Sequence, residues 1–213
     1  MKRLISLTTA GAALWLLSAC NGLFGGVYDQ PDDDLVSDFG FQTPCGPETA
    51  GIIYIDATSY TDWVYIDFSE KKTYTVNVEQ EAPQSWDIAV HRYDVKTNGG
   101  KVLETHYTNI TDAVKSEYSG EAMTADQWTT QQIIIDMSTM MDGYLGYIES
   151  YYNPVLSGWL DVDTSTMPPI YTPSGKVYVV QLADNTKAAV QLVNYMDETG
   201  VKGFLTIEYI YPF

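Results

Sequence analysis

Short runs of alternating side-chain character recur along this chain from Gly51 to the C-terminus. In residues 63–68, for example, Trp63, Tyr65 and Asp67 alternate with branched aliphatic or aromatic residues. Because successive side chains of a β-strand point to opposite faces, this period of two predicts strands. The predicted strands are 52–56, 63–68, 73–78, 86–93, 102–109, 131–136, 176–182, 188–193 and 203–211.

Turn signals between these runs complete the pattern. Asn98-Gly99 is a strong hairpin signal because both residues tolerate a positive φ, and residues 183–186 predict a second hairpin. Residues 137–152 are compatible with a short helix or with a loop broken at Gly143 and Gly146. Many short strands at this spacing predict an all-β, antiparallel domain, a two-sheet sandwich or open curled sheets with few short helices.

Charge and composition exclude several classes of protein. The chain of 213 residues has 11 Lys and Arg against 28 Asp and Glu, a net charge of −17. Such an acidic surface offers no cationic footprint for nucleic acid or for anionic lipid headgroups. With two His and two Cys, the sequence also excludes zinc fingers and disulfide scaffolds.

The N-terminus has the pattern of a lipoprotein signal peptide. Lys2 and Arg3 precede an apolar stretch over residues 4–17, which is too short to span a membrane. The stretch ends in Leu17-Ser18-Ala19-Cys20, which resembles a bacterial lipobox with Cys20 as the lipidated residue. We therefore expect a signal peptide at 1–19, a lipid anchor in the outer membrane of a Gram-negative cell, and exposure at the cell surface, with shedding left open.

Two segments follow the predicted anchor. Residues 20–49 are rich in Gly, Pro and Asp and follow neither hydrophobic period, which predicts an acylated N-terminus with a flexible tether. Within it, Cys45 lies between prolines and is predicted to be a structural or incidental thiol. Residues 50–213 form the predicted globular domain.

Carboxylates provide the main catalytic alternative. Asp87 and Glu208 could lie together in a cleft, as a hydrolase requires. Carboxylates on strands are, however, more often simply solvated or hydrogen-bonded. Residues 161–165 begin like a calcium-binding loop, but Thr166 and Thr172 stand where that loop requires Gly and Glu.

Four segments together resemble one known family. The stretch from Trp86-Asp87-Ile88-Ala89 through His91-Arg92 to Gly100, with Gly158-Trp159-Leu160, Lys176-Val177-Tyr178 and the end 203–212, resembles the HmuY family of haem-binding lipoproteins from anaerobic bacteria. The resemblance covers the chain from about Gly51 to Phe213. It implies an all-β, hand-like fold that holds one haem between two loop regions through two axial ligands.

The resemblance departs from the founding member at the axial ligands. That member resembles a bis-histidine binder, and its ligand position falls here on Thr164. The two histidines of this chain lie elsewhere: His91 is predicted to support its strand and His106 to lie on the surface. Other branches of the family resemble methionine binders, so Met140 and Met167 are the expected axial ligands.

Neighbouring residues complete the expected site. Met141 is the alternative to Met140, and Met137 belongs to the same cluster. Tyr144, Ile170 and Tyr171 are expected to cover the porphyrin faces. Because thioether sulfur is soft and does not titrate near neutral pH, a bis-Met site is expected to favour reduced iron.

The function implied by this resemblance is haem capture without catalysis. The chain would bind haem b taken from host or bacterial haemoproteins and deliver it to a TonB-dependent outer-membrane receptor. The alternative is a glycan-binding surface lipoprotein, in which Trp63, Trp128, Trp159 and the many tyrosines stack on sugars.

Overall fold

The computed structural model describes residues 39–42 and 49–213. The predicted signal peptide, Cys20, Cys45 and most of the predicted tether lie outside the described residues. Within the described part of the chain, no helix is both long and apolar enough to cross a membrane.

The described residues form fifteen strands, one short α-helix and two 3₁₀ turns. The strands are β1 (Gly40–Phe41), β2 (Ala50–Asp56), β3 (Asp62–Asp67), β4 (Lys72–Asn77), β5 (Ile88–His91), β6 (Asp94–Thr97), β7 (Lys101–Glu104), β8 (Thr124–Ala125), β9 (Gln127–Asp136), β10 (Gly146–Tyr152), β11 (Leu160–Asp163), β12 (Ile170–Pro173), β13 (Tyr178–Gln181), β14 (Lys187–Met196) and β15 (Lys202–Ile210). The helix is α1 (Ile110–Ala113), and the 3₁₀ turns are Met140–Asp142 and Leu156–Trp159.

Two larger antiparallel sheets build the body of the domain. The first has seven strands in the order β1-β2-β15-β14-β13-β7-β8, and the second has four in the order β4-β3-β5-β6. Alternate side chains of both sheets enter one continuous apolar cluster, with Ile53 and Ile207 from the first sheet and Ile66 and Val90 from the second all fully or almost fully buried. The predicted all-β, antiparallel fold is confirmed.

The outer faces of the sandwich are also covered. On the four-stranded sheet, Trp63, Tyr65 and Ala89 form a second cluster with Ile133 of β9. On the seven-stranded sheet, α1 packs over β14 and β15 in a third cluster. Each fully buried large aliphatic side chain in such clusters contributes about 1.5–3 kcal/mol, so both sheets are held on both faces.

The segment 86–97, which includes the single strand predicted for 86–93, folds differently from that prediction. It divides into β5 and β6, which are joined by a turn at Arg92-Tyr93. Arg92 has a φ of 56°, and its Nη1 donates hydrogen bonds to the carbonyl oxygens of Ala57 (3.1 Å) and Thr58 (2.6 Å). These distant acceptors fix a backbone conformation that a non-glycine residue seldom adopts.

Two further expectations change in detail. Asn98-Gly99 does form a turn, but it connects β6 to β7 in the other sheet rather than closing a hairpin. Gly40–Phe41, inside the segment predicted to be a tether, pairs with β2 as an edge strand because Phe41 packs against Phe68 and Tyr209. The predicted hairpin at 183–186 joins β13 and β14, with Asn185 at φ 71°.

Candidate functional site

Two antiparallel hairpins form sheets of their own outside the sandwich. The first hairpin consists of β9 and β10 and runs from a base at Gln127↔Tyr152 to a tip after Asp136↔Gly146. The second hairpin consists of β11 and β12 and runs from Leu160↔Pro173 to Asp163↔Ile170. The two tips, residues 137–145 and 164–169, contain all the methionines predicted as ligands.

The first hairpin is fastened to the body near its middle. Ile133 is fully buried against the four-stranded sheet, and the Nε2 of Gln132 donates to Oδ1 of Asp94 at 3.0 Å. Burial of Asp94 raises its pKa to about 6, against the lowering effect of the Gln132 hydrogen bond. Packing of Ile133 and this hydrogen bond hold the middle of the hairpin against the body, and the tip extends beyond this anchored part.

The tip of the first hairpin exposes apolar side chains. A 3₁₀ turn over Met140–Asp142 is ended by Gly143 at φ 83°, whose N–H donates to the Met140 carbonyl at 3.0 Å. Met140 is 41% exposed, Met141 90% and Tyr144 72%. Residues 137–152, for which the sequence allowed either a short helix or a loop, therefore contain a short 3₁₀ turn, a loop at Gly143 and strand β10, which was not predicted.

The second hairpin has a packed base and an exposed tip. Tyr171 stacks on Tyr195 of β14 with ring centroids 5.4 Å apart, while Met167 is 80% exposed and Ile170 53%. Lys202 of β15 lies with its Nζ 4.3 Å from the centre of the Tyr171 ring and donates to the Pro169 carbonyl at 3.0 Å.

Lys202 is a feature of this site that the sequence reasoning missed. It lies about thirty positions after the loop that it supports, and no local pattern links the two segments. Its ammonium brings a positive charge to the second tip of an otherwise acidic protein.

Exposed apolar side chains are concentrated on these two hairpins. Eight of the ten large hydrophobic residues exposed in the described part of the chain belong to them. They are Trp128, Met140, Met141, Tyr144, Tyr147, Tyr151, Met167 and Ile170. Exposed apolar side chains grouped in this way mark a binding surface rather than a stability element. No hydrogen bond or aromatic contact between described residues joins the two tips.

The histidines lie away from both tips. His91 is buried, its Nε2 is 2.9 Å from the Tyr60 carbonyl oxygen, and its ring lies 5.3 Å from that of Trp63. Burial lowers the pKa of His91. His106 is exposed, and its ring lies tilted against that of Tyr107 with ring centroids 4.1 Å apart. His91 lies in a strand and His106 on the surface, as predicted, but β7 ends at Glu104, so the strand predicted for 102–109 does not extend to His106.

The alternative sites predicted from sequence are not assembled as predicted. Trp159 is fully buried with its Nε1 donating to the Tyr93 carbonyl at 2.9 Å, and Trp63 is 3% exposed, so neither provides an open sugar platform. Asp87 accepts the Phe68 N–H at 2.7 Å. No hydrogen bond in the described part of the chain links Asp87 to Glu208. No group of three or more His, Cys, Asp or Glu among the described residues could hold a metal ion.

Comparisons with known proteins agree on one family. The family described as HmuY protein matches residues 59–209. A HmuY-like heme-binding protein from Bacteroides vulgatus is 56% identical, with a TM-score of 0.76 over 83% of this chain and 99% of its own. A protein from Bacteroides fragilis described as a lipoprotein is 47% identical, with a TM-score of 0.78 over 84% and 97%.

A more distant structure shares the fold. An apo HmuY analog from Tannerella forsythia is 21% identical, with a TM-score of 0.65 over 75% of this chain and 94% of its own. No curated protein matches the chain.

Proposed function

The chain belongs to the HmuY family, and from this we propose that it is a surface lipoprotein that binds one haem between the tips of its two hairpins. The observation that carries the proposal is the concentration of exposed apolar residues on those hairpins. A porphyrin is a large flat apolar ligand, and its burial would remove from water the exposed side chains at the tips, which are Met140, Met141, Tyr144, Met167 and Ile170.

We propose that methionine sulfurs from the two tips would ligate the haem iron. Met167 serves from the second tip, and Met140 serves from the first, with Met141 as its alternative. Both tips expose thioether side chains, whereas neither carries a histidine. Tyr144, Ile170 and Tyr171 provide apolar contact with the ring, and the haem taken up is proposed to be haem b.

The ligand chemistry determines how binding responds to redox state and pH. A neutral, soft thioether stabilises Fe(II) more than Fe(III), so reduction of bound haem should tighten the complex. A thioether also has no proton to gain on mild acidification, unlike an imidazole with a pKa of about 6.5. Lys202, at the second tip, is the proposed partner of one haem propionate.

We propose that the biological role is haem capture and transfer rather than catalysis. The predicted lipid anchor at Cys20 would hold the protein on the outer membrane, and the similarity to a Bacteroides fragilis protein described as a lipoprotein supports this placement. Haem would come from host or bacterial haemoproteins and pass to a TonB-dependent receptor. Hairpins that expose their apolar tips suit a ligand that must be taken up and released.

Titration of the protein with haemin, followed by reduction with dithionite, tests this proposal. We expect a shifted Soret band that sharpens on reduction and that survives acidification below the pKa of imidazole. Met167→Ala and Met140→Ala should each weaken binding by at least tenfold, about 1.4 kcal/mol. Met141→Ala separates the two candidates at the first tip.

Matched variants define what would contradict the proposal. Met123→Ala lies outside both hairpins and His106→Ala removes the exposed imidazole, so neither should change the spectrum. An unchanged spectrum at micromolar haem would refute haem binding itself. A spectrum lost in His106→Ala but kept in Met167→Ala would refute methionine ligation alone.

A further inference from the structure

A half-open cavity lies at the base of the first hairpin, far from its tip. Its volume is about 600 Å³, and its walls come from the four-stranded sheet, the turn at Asn98-Gly99 and both hairpin strands. Trp128, at the cavity, precedes Met137 by nine residues along β9, which corresponds to roughly 30 Å of strand. The cavity is therefore separate from the proposed haem site.

An amine surrounded by aromatic rings forms the inner wall of this cavity. The Nζ of Lys96 lies 4.0 Å from the ring centre of Trp63 and 5.7 Å from that of Trp86. It also donates to the Tyr65 hydroxyl at 3.3 Å. Because these surroundings leave the ammonium poorly hydrated, burial lowers the pKa of Lys96 to about 8.

The charge of Lys96 has no direct anionic partner. The charge of the Asp126 carboxylate acts to raise the pKa of Lys96, but no ion pair joins the two side chains within the described residues. The Asp126 oxygens instead accept from the Thr97 N–H (2.7 Å), the Thr97 hydroxyl (3.0 Å) and the Asn153 side-chain amide (3.0 Å). An ammonium has three protons to donate, and the Tyr65 hydroxyl accepts one. Lys96 can therefore still bind an anion.

The mouth of the cavity combines aromatic and polar groups. Trp128 is 54% exposed and Tyr151 55%, and their rings meet edge to face at 5.0 Å. Gln80, Asn98 and Ser150 add amide and hydroxyl groups around the same opening. Aromatic surface with several hydrogen-bonding groups suits a ligand that has an apolar ring face and many hydroxyls.

We propose that this cavity binds a sugar unit bearing a carboxylate, such as a uronic or sialic acid residue. The carboxylate would form a charge-assisted hydrogen bond with Lys96, and the sugar ring would stack on Trp128 and Tyr151. A volume of about 600 Å³ accommodates one or two sugar units. The surface protein would then recognise acidic glycans at one end of the first hairpin and haem at the other.

Two-dimensional NMR of the tryptophan indole groups provides the direct test. Glucuronic acid should shift the signals of Trp63, Trp86 and Trp128, and leave that of Trp159, which is buried in the core. Glucose, which differs by the missing carboxylate, should bind at least about tenfold more weakly. Benzoate carries a carboxylate and a flat ring without hydroxyls, and affinity equal to that of glucuronic acid would overturn the sugar assignment.

Variants identify the groups responsible. Lys96→Met keeps most of the length of the side chain and should abolish the preference for glucuronic acid over glucose, whereas Lys115→Met, at an exposed lysine just after α1, should not. Trp128→Ala should weaken both sugars, whereas Tyr147→Ala, exposed on the same hairpin outside the cavity, should weaken neither. A preference that persists in Lys96→Met would overturn the proposal.

The pH dependence and an independent haem titration complete the test. Glucuronic acid should bind less tightly as pH rises through about 8, because Lys96 then loses its charge. The other charged or titratable groups at the cavity are Tyr65, Lys101, Asp126, Glu149 and Tyr151. Both cavity variants should bind haemin normally, so failure of the sugar site and failure of the haem site give different results. Equal binding of glucuronic acid and glucose in the unaltered protein would refute the site.

Discussion

Glu208 provides a sharp test of how burial affects the stability of this sandwich. It lies on β15 between Ile52 of β2 and Gln191 of β14, it is 8% exposed, and its carboxyl group forms no hydrogen bond or ion pair with another described residue. Burial raises its pKa from 4.5 to about 7. The folded protein therefore holds a proton at Glu208 that the unfolded chain releases at lower pH.

The sign of the effect follows from this difference. The contribution of Glu208 to the free energy of unfolding is complete below pH 4.5 and is lost as pH rises through about 7. At 1.36 kcal/mol per pH unit, the upper bound is about 3.4 kcal/mol. Because water still reaches the carboxyl group, screening reduces the expected effect to about 1–2 kcal/mol.

Glu208→Gln replaces the carboxyl group with a neutral side chain of the same shape. We expect the variant to be more stable than the unaltered protein by about 1–2 kcal/mol above pH 7 and equally stable below pH 4.5. Urea unfolding followed by tryptophan fluorescence across this range measures the difference.

A matched control isolates the buried group. Glu198→Gln, at an exposed position, should show no such pH-dependent difference. Asp87 and Asp94, whose pKa values burial also raises to about 6, titrate in both proteins and cancel in the comparison. A stability difference that is constant with pH, or a variant that is less stable at pH 8, would refute the reasoning.

Two further predictions concern the core and a strained glycine. Gly203→Ala should destabilise the fold by about 1–3 kcal/mol, because Gly203 has a φ of 106° and an added Cβ would lie 3.0 Å from the Thr58 Cα. Gly120→Ala is the control: Gly120 has a φ of 87° but open space around an added Cβ, so this variant measures backbone strain alone. An equal loss of unfolding free energy in the two variants, measured by urea unfolding, would exclude a steric contribution at Gly203. Trp159→Phe should cost about 2–4 kcal/mol by removing the hydrogen bond to Tyr93 and leaving a cavity, and a thermal midpoint within experimental error of the unaltered protein would contradict this.

The strands predicted best from sequence are those with one buried face. Residues 52–56 and 203–211 alternate clearly and correspond to β2 and β15, which pair directly. Strand β10 went unpredicted because Tyr147 and Tyr151 on its exposed face are as apolar as Ile148 and Tyr152 on its half-buried face. Period two disappears from a sequence when a strand carries aromatic residues on both faces.

Long-range contacts account for the remaining differences. Nothing in the local sequence around Arg92 signals a turn, since its positive φ is fixed by acceptors at Ala57 and Thr58. The Asn98-Gly99 pair signals a reversal of chain direction, but a local signal does not specify which sheet the next strand joins. Likewise, no local pattern indicates that Lys96 of β6 contacts Trp63 of β3, which lies on the other side of β5.

The first hairpin places two different environments at its ends, and the physical support of each end explains why. Towards the base, the rings of Trp63 and Trp86 lie around the Lys96 ammonium and hold it in a fixed orientation, while Ile133 and the Gln132–Asp94 hydrogen bond anchor the middle of the hairpin. At the tip, beyond those anchors, methionine and tyrosine side chains remain exposed and can adapt to a large flat ligand. A rigid polar cavity favours discrimination between similar small ligands, whereas an adaptable apolar tip favours uptake and release. Because the middle of the hairpin is anchored, side chains at the tip can rearrange without altering the cavity at the base. The same hairpin can therefore serve both sites.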